Sequence, residues 1–141
     1  MFTVQAAHSD NIKQVRFLPN NNEFVLSASQ DKDLKLWAVN DKSAELVSTV
    51  RLNEAIETFS YVMFNDMLYL LVANGSFISI VQVSDDNDNL QIVANIHAFQ
   101  KPVLKVSYDS VRQRVIASGL DQQIKFFEIF TDEDQSIQLR L

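Results

Sequence analysis

Cysteine is absent from this chain of 141 residues, which excludes disulfides, thiol nucleophiles and thiolate metal sites together. Glycine occurs twice, at Gly75 and Gly119, too sparsely for a phosphate-cradling loop or a G-x-S-x-G nucleophile elbow. The two histidines, His8 and His97, have no carboxylate or second histidine at a metal-like spacing, so no zinc site is expected. Asp85-Asp86-Asn87-Asp88-Asn89 offers oxygen ligands but lacks the glycine and later glutamate of a calcium loop. With Asp132-Glu133-Asp134 it reads as a solvated hairpin tip. No cofactor is expected. No apolar run approaches the roughly 18 residues that cross a bilayer as a helix. The opening MFTVQAAHSD lacks a basic flank followed by an apolar core, so no secretory signal and an intracellular location are expected. Concentrated positive charge is missing too. The net charge is −6, and Lys13, Arg16, Lys32, Lys35, Lys101, Lys105, Arg112 and Arg114 are scattered at alternating positions, a solvated face rather than a phosphate-binding patch. Direct nucleic-acid contact is not expected.

What remains is an ordinary globular composition, 47% hydrophobic and 21% charged, with enough length for one domain and a core. The apolar runs are four to eight residues long, rich in Val, Ile, Phe and Tyr, and bounded by Asn, Asp, Ser and Gly, which predicts strands. Only Glu54 to Met63 fits a helix by spacing. Its register with two other segments argues for strand. Ile12-x-x-Val15-x-Phe17 returns as Ile56-x-x-Phe59-x-Tyr61 and as Val103-x-x-Val106-x-Tyr108, 44 and then 47 residues on. Leu34-Lys35-Leu36-Trp37 returns as Ile78 to Val81 and Ile124 to Phe127, at 44 and 46. Two independent markers give one period, and three repeats follow.

The segment His8 to Val39 carries a histidine before the first strand, Ser27 and Ser29 on the second, Asp31 in the next turn and Trp37 on the third. It resembles the WD-repeat family, whose run "SGSxDxxVKIWD" reads here Ser27-Ala28-Ser29-Gln30-Asp31-Lys32-Asp33-Leu34-Lys35-Leu36-Trp37-Ala38. The resemblance implies an all-β fold, a β-propeller of four-stranded antiparallel blades, three in this chain, at about 8–52, 53–96 and 97–141. Residues 2–6 would be the outer strand of a neighbouring blade. Propellers close with about four to eight blades, so three leave the ring open. An excerpt of a longer propeller is the preferred explanation. Ring completion by a second chain, or by blades from another protein, stays open.

The resemblance also implies a structural role for His8, Ser27, Asp31 and Trp37, as a buried hydrogen-bonded chain that locks the blade, with Asp121 at the matching place in the third repeat. The same residue types could make a catalytic Ser-His-Asp set. Without an elbow or other catalytic part, the structural role explains them better and no enzyme is expected. The second repeat has Leu52 or Asn53 for the histidine and Val81 for Trp37, so it is expected to rely on apolar packing. Asn74-Gly75 still suits a tight turn there. The third has Phe127 for Trp37, and His97 stands two residues too far from its strand.

Such propellers are mostly platforms on which loops meet other protein subunits or peptides. The candidate interaction loops hold Asn11, Lys32, Phe99 and Gln122. Phe99, beside Pro102, is either a buried filler or an exposed anchor. More narrowly, Ile116 to Phe127 (IASGLDQQIKFF) is similar to the later blades of the WD-repeat subunit of the small-subunit processome, associated with U3 small nucleolar ribonucleoprotein. That would imply a nucleolar scaffold in pre-ribosomal RNA processing. A recognition propeller of a ubiquitin ligase or trafficking complex is the alternative.

Overall fold

Leu70, Leu71, Val72 and Ala73 are consecutive in one strand and all fully buried. Successive strand side chains point to opposite faces, so both faces of that strand are covered and its sheet lies between two others. The computed structural model describes residues 1–141 and shows this arrangement. The strands are β1 (Ile12–Leu18), β2 (Asn21–Ser29), β3 (Asp33–Val39), β4 (Ala44–Arg51), β5 (Ile56–Phe64), β6 (Met67–Asn74), β7 (Phe77–Val83), β8 (Leu90–His97), β9 (Val103–Asp109), β10 (Arg114–Gly119), β11 (Ile124–Thr131) and β12 (Ile137–Arg140). They form three four-stranded antiparallel sheets in chain order, β1 to β4, β5 to β8 and β9 to β12. The fold is all-β, three propeller blades in an open array. Glu54 to Met63, the one stretch with helical spacing, runs into β5.

The I-x-x-V-x-F spacing has a physical cause. Residues three apart in a regular strand face opposite ways, yet Ile56 and Phe59 are both buried against the first blade. Each first strand carries a register shift at this point, between Ile12 and Gln14, between Ile56 and Thr58, and opposite Ser118 and Gly119. One extra residue at Lys13, Glu57 or Leu104 returns the following side chain to the same face.

The core lies between blades. One apolar cluster joins Leu26, Leu34 and Leu36 of the first blade to Phe59, Leu70 and Val81 of the second. A second joins Leu71, Ile78 and Ile80 to Val106, Val115 and Phe127 of the third. Each blade thus has a rear face, turned toward the next blade in the chain, and a front face opposite. Polar keys set the blade-to-blade register. Gln14 Oε1 accepts from Thr58 Oγ1 at 2.7 Å and from Phe59 N at 2.9 Å, and Ser60 Oγ donates to the Val106 carbonyl at 2.6 Å. Tyr61 donates its hydroxyl to the Phe17 carbonyl, with Arg16 stacked 4.6 Å from its ring. Burial pushes the Tyr61 phenol up to about 12 despite the Arg16 charge.

Phe2 to Ala6, expected as an outer strand, forms no strand and pairs with none of the three sheets. A positive φ at Ala6 turns the backbone toward His8.

Candidate interaction face

The turns β2–β3, β6–β7 and β10–β11 and the segments leading into β1, β5 and β9 all lie at one end of the blades. This upper rim is sewn together by backbone bonds. Gln30 N donates to Asn11 O at 2.9 Å, and Leu120 N donates to Pro102 O at 3.0 Å in the same place of the third blade. Bonds from Leu52 N to Lys32 O and from Val103 N to Gly75 O carry the stitching from blade to blade.

In the first blade His8, Ser27, Asp31 and Trp37 meet. Asp31 Oδ2 accepts from His8 Nδ1 and from Ser9 N, both at 2.9 Å, while Oδ1 accepts from Asp33 N at 2.8 Å. Ser27 Oγ donates to His8 Nε2 at 2.6 Å and accepts from Trp37 Nε1 at 2.9 Å. Burial alone would raise the Asp31 carboxyl. The bonds from Asp33, Ser9 and His8 outweigh it and hold the group below its ordinary range. The order Asp-His-Ser matches that of a hydrolase triad, but Ser27 sits mid-strand in β2, paired with both Val15 and Lys35. The neighbouring N–H groups are spent on the ladders and leave no donors for an oxyanion. Ser29, which the sequence shows beside them, is fully buried and donates to Asp10 O and Asn11 O.

Asp121 stands apart from that set. Its Oδ1 accepts from Gln123 N at 3.2 Å, the turn half of what Asp31 does, and no histidine reaches it. His97 lies on β8 against Phe77, with ring centroids 5.3 Å apart. The residue in the histidine's place is Phe99. Lys35 Nζ donates to Ala7 O at 2.7 Å, just before His8, and Lys125 Nζ donates to Ala98 O at 2.7 Å, just before Phe99. Phe99 is therefore a buried filler, 1% exposed, and not an exposed anchor. Gly119 makes room for it, and the Lys125 ammonium sits 4.6 Å from the ring centroid. By strand register the partners change with it, Ala117 standing at Ser27's place and Phe127 at Trp37's.

The second blade corrects the expectation of purely apolar packing. Leu52, Val72 and Val81 do replace the lock, but Asn74, Ser79 and Asn95 build another one. Asn74 Nδ2 donates to Val72 O at 3.1 Å and Ser79 Oγ at 2.9 Å, and Ser79 Oγ donates to Asn95 Oδ1 at 2.5 Å. Asn74 Oδ1 accepts from Glu54 N at 3.3 Å. The available signal was polar side chains within otherwise apolar strands, Asn74 ending MLYLLVAN and Ser79 inside FISIVQV.

The remaining candidates lie on the rim. Asn11 and Gln122 are exposed and Lys32 is half-buried. Lys32 and Gln122 occupy matching turn positions, with φ of 78° and 68°, and Asn11 Nδ2 donates to Gln30 Oε1 at 3.1 Å. These three side chains are available to a partner, and Phe99 is not.

Residues 2–38 match the WD40 family, described as WD domain, G-beta repeat. No curated protein matches the chain. Among solved structures, it is similar to a chain of the "Crystal Structure of Mitotic Checkpoint Complex", with a TM-score of 0.72 at 17% identity over 89% of this chain and 38% of that one. It is also similar to the C-terminal WD40 domain of Sif2, with a TM-score of 0.64 at 13% identity over 85% of this chain and 34% of that one. The chain thus spans little more than a third of the length of these structures. At such identities the likeness is one of fold.

Proposed function

We propose that this chain is a non-catalytic WD-repeat scaffold that docks other protein subunits or peptides on its upper rim. One observation carries this reading. A single carboxylate, Asp31, ties His8 and Ser9 of one rim segment to Asp33 of another. The loops carrying Asn11 and Lys32 are therefore held before any partner arrives, so binding needs little ordering of the rim. The Ser27 and His8 groups of the triad-like set are the ones that hold the blade and its rim.

The assembly we propose is the small-subunit processome, with a nucleolar location and a role in pre-ribosomal RNA processing. The support is the similarity of Ile116 to Phe127 to the later blades of that complex's WD-repeat subunit. The net charge of −6 fits a subunit that joins an RNA machine through protein contacts. The test is affinity purification of the chain from cells against a variant carrying Asn11→Ala, Lys32→Ala and Gln122→Ala. Processome subunits should co-purify with the first and be reduced at least several-fold with the second at equal recovery of bait. Recovery that is unchanged by the rim substitutions would sink the docking face. Recovery of a different complex would sink the processome assignment alone.

A further inference from the structure

Asn74 and Gly75 form the one Asn-Gly pair in the chain. Such a pair is open to deamidation, because no side chain on the second residue obstructs attack of its backbone nitrogen on the asparagine carboxamide. Each of the two residues is required here for a reason of its own. Gly75 has φ +56°, and a Cβ on it would lie 2.7 Å from Glu54 Cγ. Asn74 is fully buried and holds the polar lock of the second blade, the middle one, whose two faces are both covered. The fold therefore places a chemically labile pair where neither member can be exchanged freely.

We propose that Asn74 is a fold-gated deamidation site, which reacts only while the upper turn of the second blade is open and, once converted, weakens that blade permanently. In the reaction Gly75 N bonds to Asn74 Cγ and passes its proton to Nδ2, which leaves as ammonia. Water then opens the five-membered imide at either carbonyl, giving aspartate or the isomer whose backbone runs through the side chain. Nothing is oxidised or reduced. In the fold the whole carboxamide is engaged. Nδ2 donates to Val72 O at 3.1 Å and to Ser79 Oγ at 2.9 Å, and Oδ1 accepts from Glu54 N at 3.3 Å. Departure of Nδ2 breaks both of its bonds. Imide closure also holds ψ of residue 74 away from the extended value of a strand, so the Asn74–Phe77 pair that ends the β6–β7 ladder must part. The turn itself is tied to the segment leading into the third blade. Val103 N donates to Gly75 O at 2.7 Å, and Ala98 N and Phe99 N donate to Ser76 O at 3.0 and 3.2 Å. Reaction therefore waits on local opening. The product fits the closed site badly. An aspartate at 74 turns a carboxylate oxygen toward the Val72 carbonyl, acceptor against acceptor in a fully buried place, and the isomer lengthens the backbone of the strand.

The experiment incubates the full chain of 141 residues at mildly alkaline pH, folded and in guanidinium, and follows the mass gain of deamidation at each asparagine by peptide mapping. In guanidinium Asn74 should convert ahead of Asn65, which precedes Asp66 and is exposed in the fold. In the folded chain Asn74 should be slower than in guanidinium by at least about ten-fold, as expected of a group that reacts only from a sparsely populated open form. Ser79→Ala should speed Asn74 several-fold in the folded chain and leave its rate in guanidinium alone. Equal rates at Asn74 in the two states would overturn the gate, and so would a folded rate indifferent to Ser79→Ala. No conversion of Asn74 in guanidinium would remove the site itself. The consequence is read separately, on chains converted at Asn74 in guanidinium and on the Asn74→Asp variant. Both should unfold at a lower midpoint than Asn65→Asp or fail to refold. Converted chains that regain the native midpoint would overturn the permanent weakening.

Discussion

Phe99 occupies in the third blade the place that His8 occupies in the first, each one residue past a carbonyl that accepts a lysine ammonium at 2.7 Å. The exchange could not be made alone. A histidine facing Ala117 and Phe127 would have no partner for Nε2, and a phenylalanine facing Ser27 would leave the Ser27 hydroxyl proton without its acceptor, although Trp37 Nε1 would still reach Ser27 Oγ. Either would cost the desolvation of a buried polar group. The three blades therefore hold three concerted sets at the same places: His8, Ser27 and Trp37; Leu52, Val72 and Val81; Phe99, Ala117 and Phe127.

Concerted exchange predicts strong coupling. Ser27→Ala should destabilise the chain by about 1–3 kcal/mol, since it leaves Trp37 Nε1 and His8 Nε2 facing each other without an acceptor or donor. Phe99→His should cost a similar amount. Phe99→His with Ala117→Ser and Phe127→Trp should cost clearly less than the sum of the three single changes in urea unfolding. Additive effects would mean that the residues do not act as a set.

The second blade's substitute lock gives a separate prediction. Ser79→Ala takes one acceptor from the buried Asn74 Nδ2, which keeps the Val72 carbonyl, while the exposed Asn95 can turn to water, so it should cost about 1 kcal/mol. Ser43→Ala, in an exposed turn beside Asn40, should be close to neutral. Equal unfolding midpoints for the two variants would show that the buried Asn74–Ser79 bond contributes nothing.

The fold class and the three repeats were legible because their signals are local. A period near 45 residues and the I-x-x-V-x-F spacing both sit in the linear pattern, and the bulge that explains the spacing is itself local. Trp37, Ser27, Asp31 and His8 could be grouped because the resemblance placed them together. Asp121 was grouped with them on the same pattern, but whether an aspartate has a histidine depends on a residue some 22 positions away. There the relevant neighbour was Phe99, not the nearer-looking His97. Asn74, Ser79 and Asn95 were missed for a related reason. No single one is unusual, and only the cross-strand register brings them within hydrogen-bond reach.

Acid should act on the first blade through Asp31. Its carboxyl is held below the ordinary range in the fold, so the unfolded chain binds a proton more readily. Stability from this group is present above about pH 4, the ordinary carboxylate value, and is lost as pH falls through the lower folded value. Thermal unfolding of the native chain should therefore fall more steeply below pH 4 than that of Asp31→Asn, which carries no such proton. Parallel curves would show that the His8, Ser9 and Asp33 bonds do not favour the charged form.

The two glycines should respond to alanine for different reasons. Gly75 has φ +56°, and a Cβ there would lie 2.7 Å from Glu54 Cγ and 2.8 Å from Glu54 Cβ. Rotation can carry Glu54 Cγ away but not Cβ, which is fixed to the backbone, so the cost is the left-handed backbone, about 1–2 kcal/mol, together with the shift of the Glu54 segment. Gly119 has no such backbone. Its added Cβ would lie 3.0 Å from Phe99 Cδ1 and 3.1 Å from the Pro102 carbonyl. Phe99 is locked in the core, with Lys125 over its ring, so it has nowhere to move. The penalty of Gly119→Ala should therefore shrink in a Phe99→Leu background, where the ring is gone, while the penalty of Gly75→Ala should be the same in both backgrounds. If Phe99→Leu leaves the Gly119→Ala penalty unchanged, the Pro102 carbonyl, and not the buried ring, is what requires a glycine at 119.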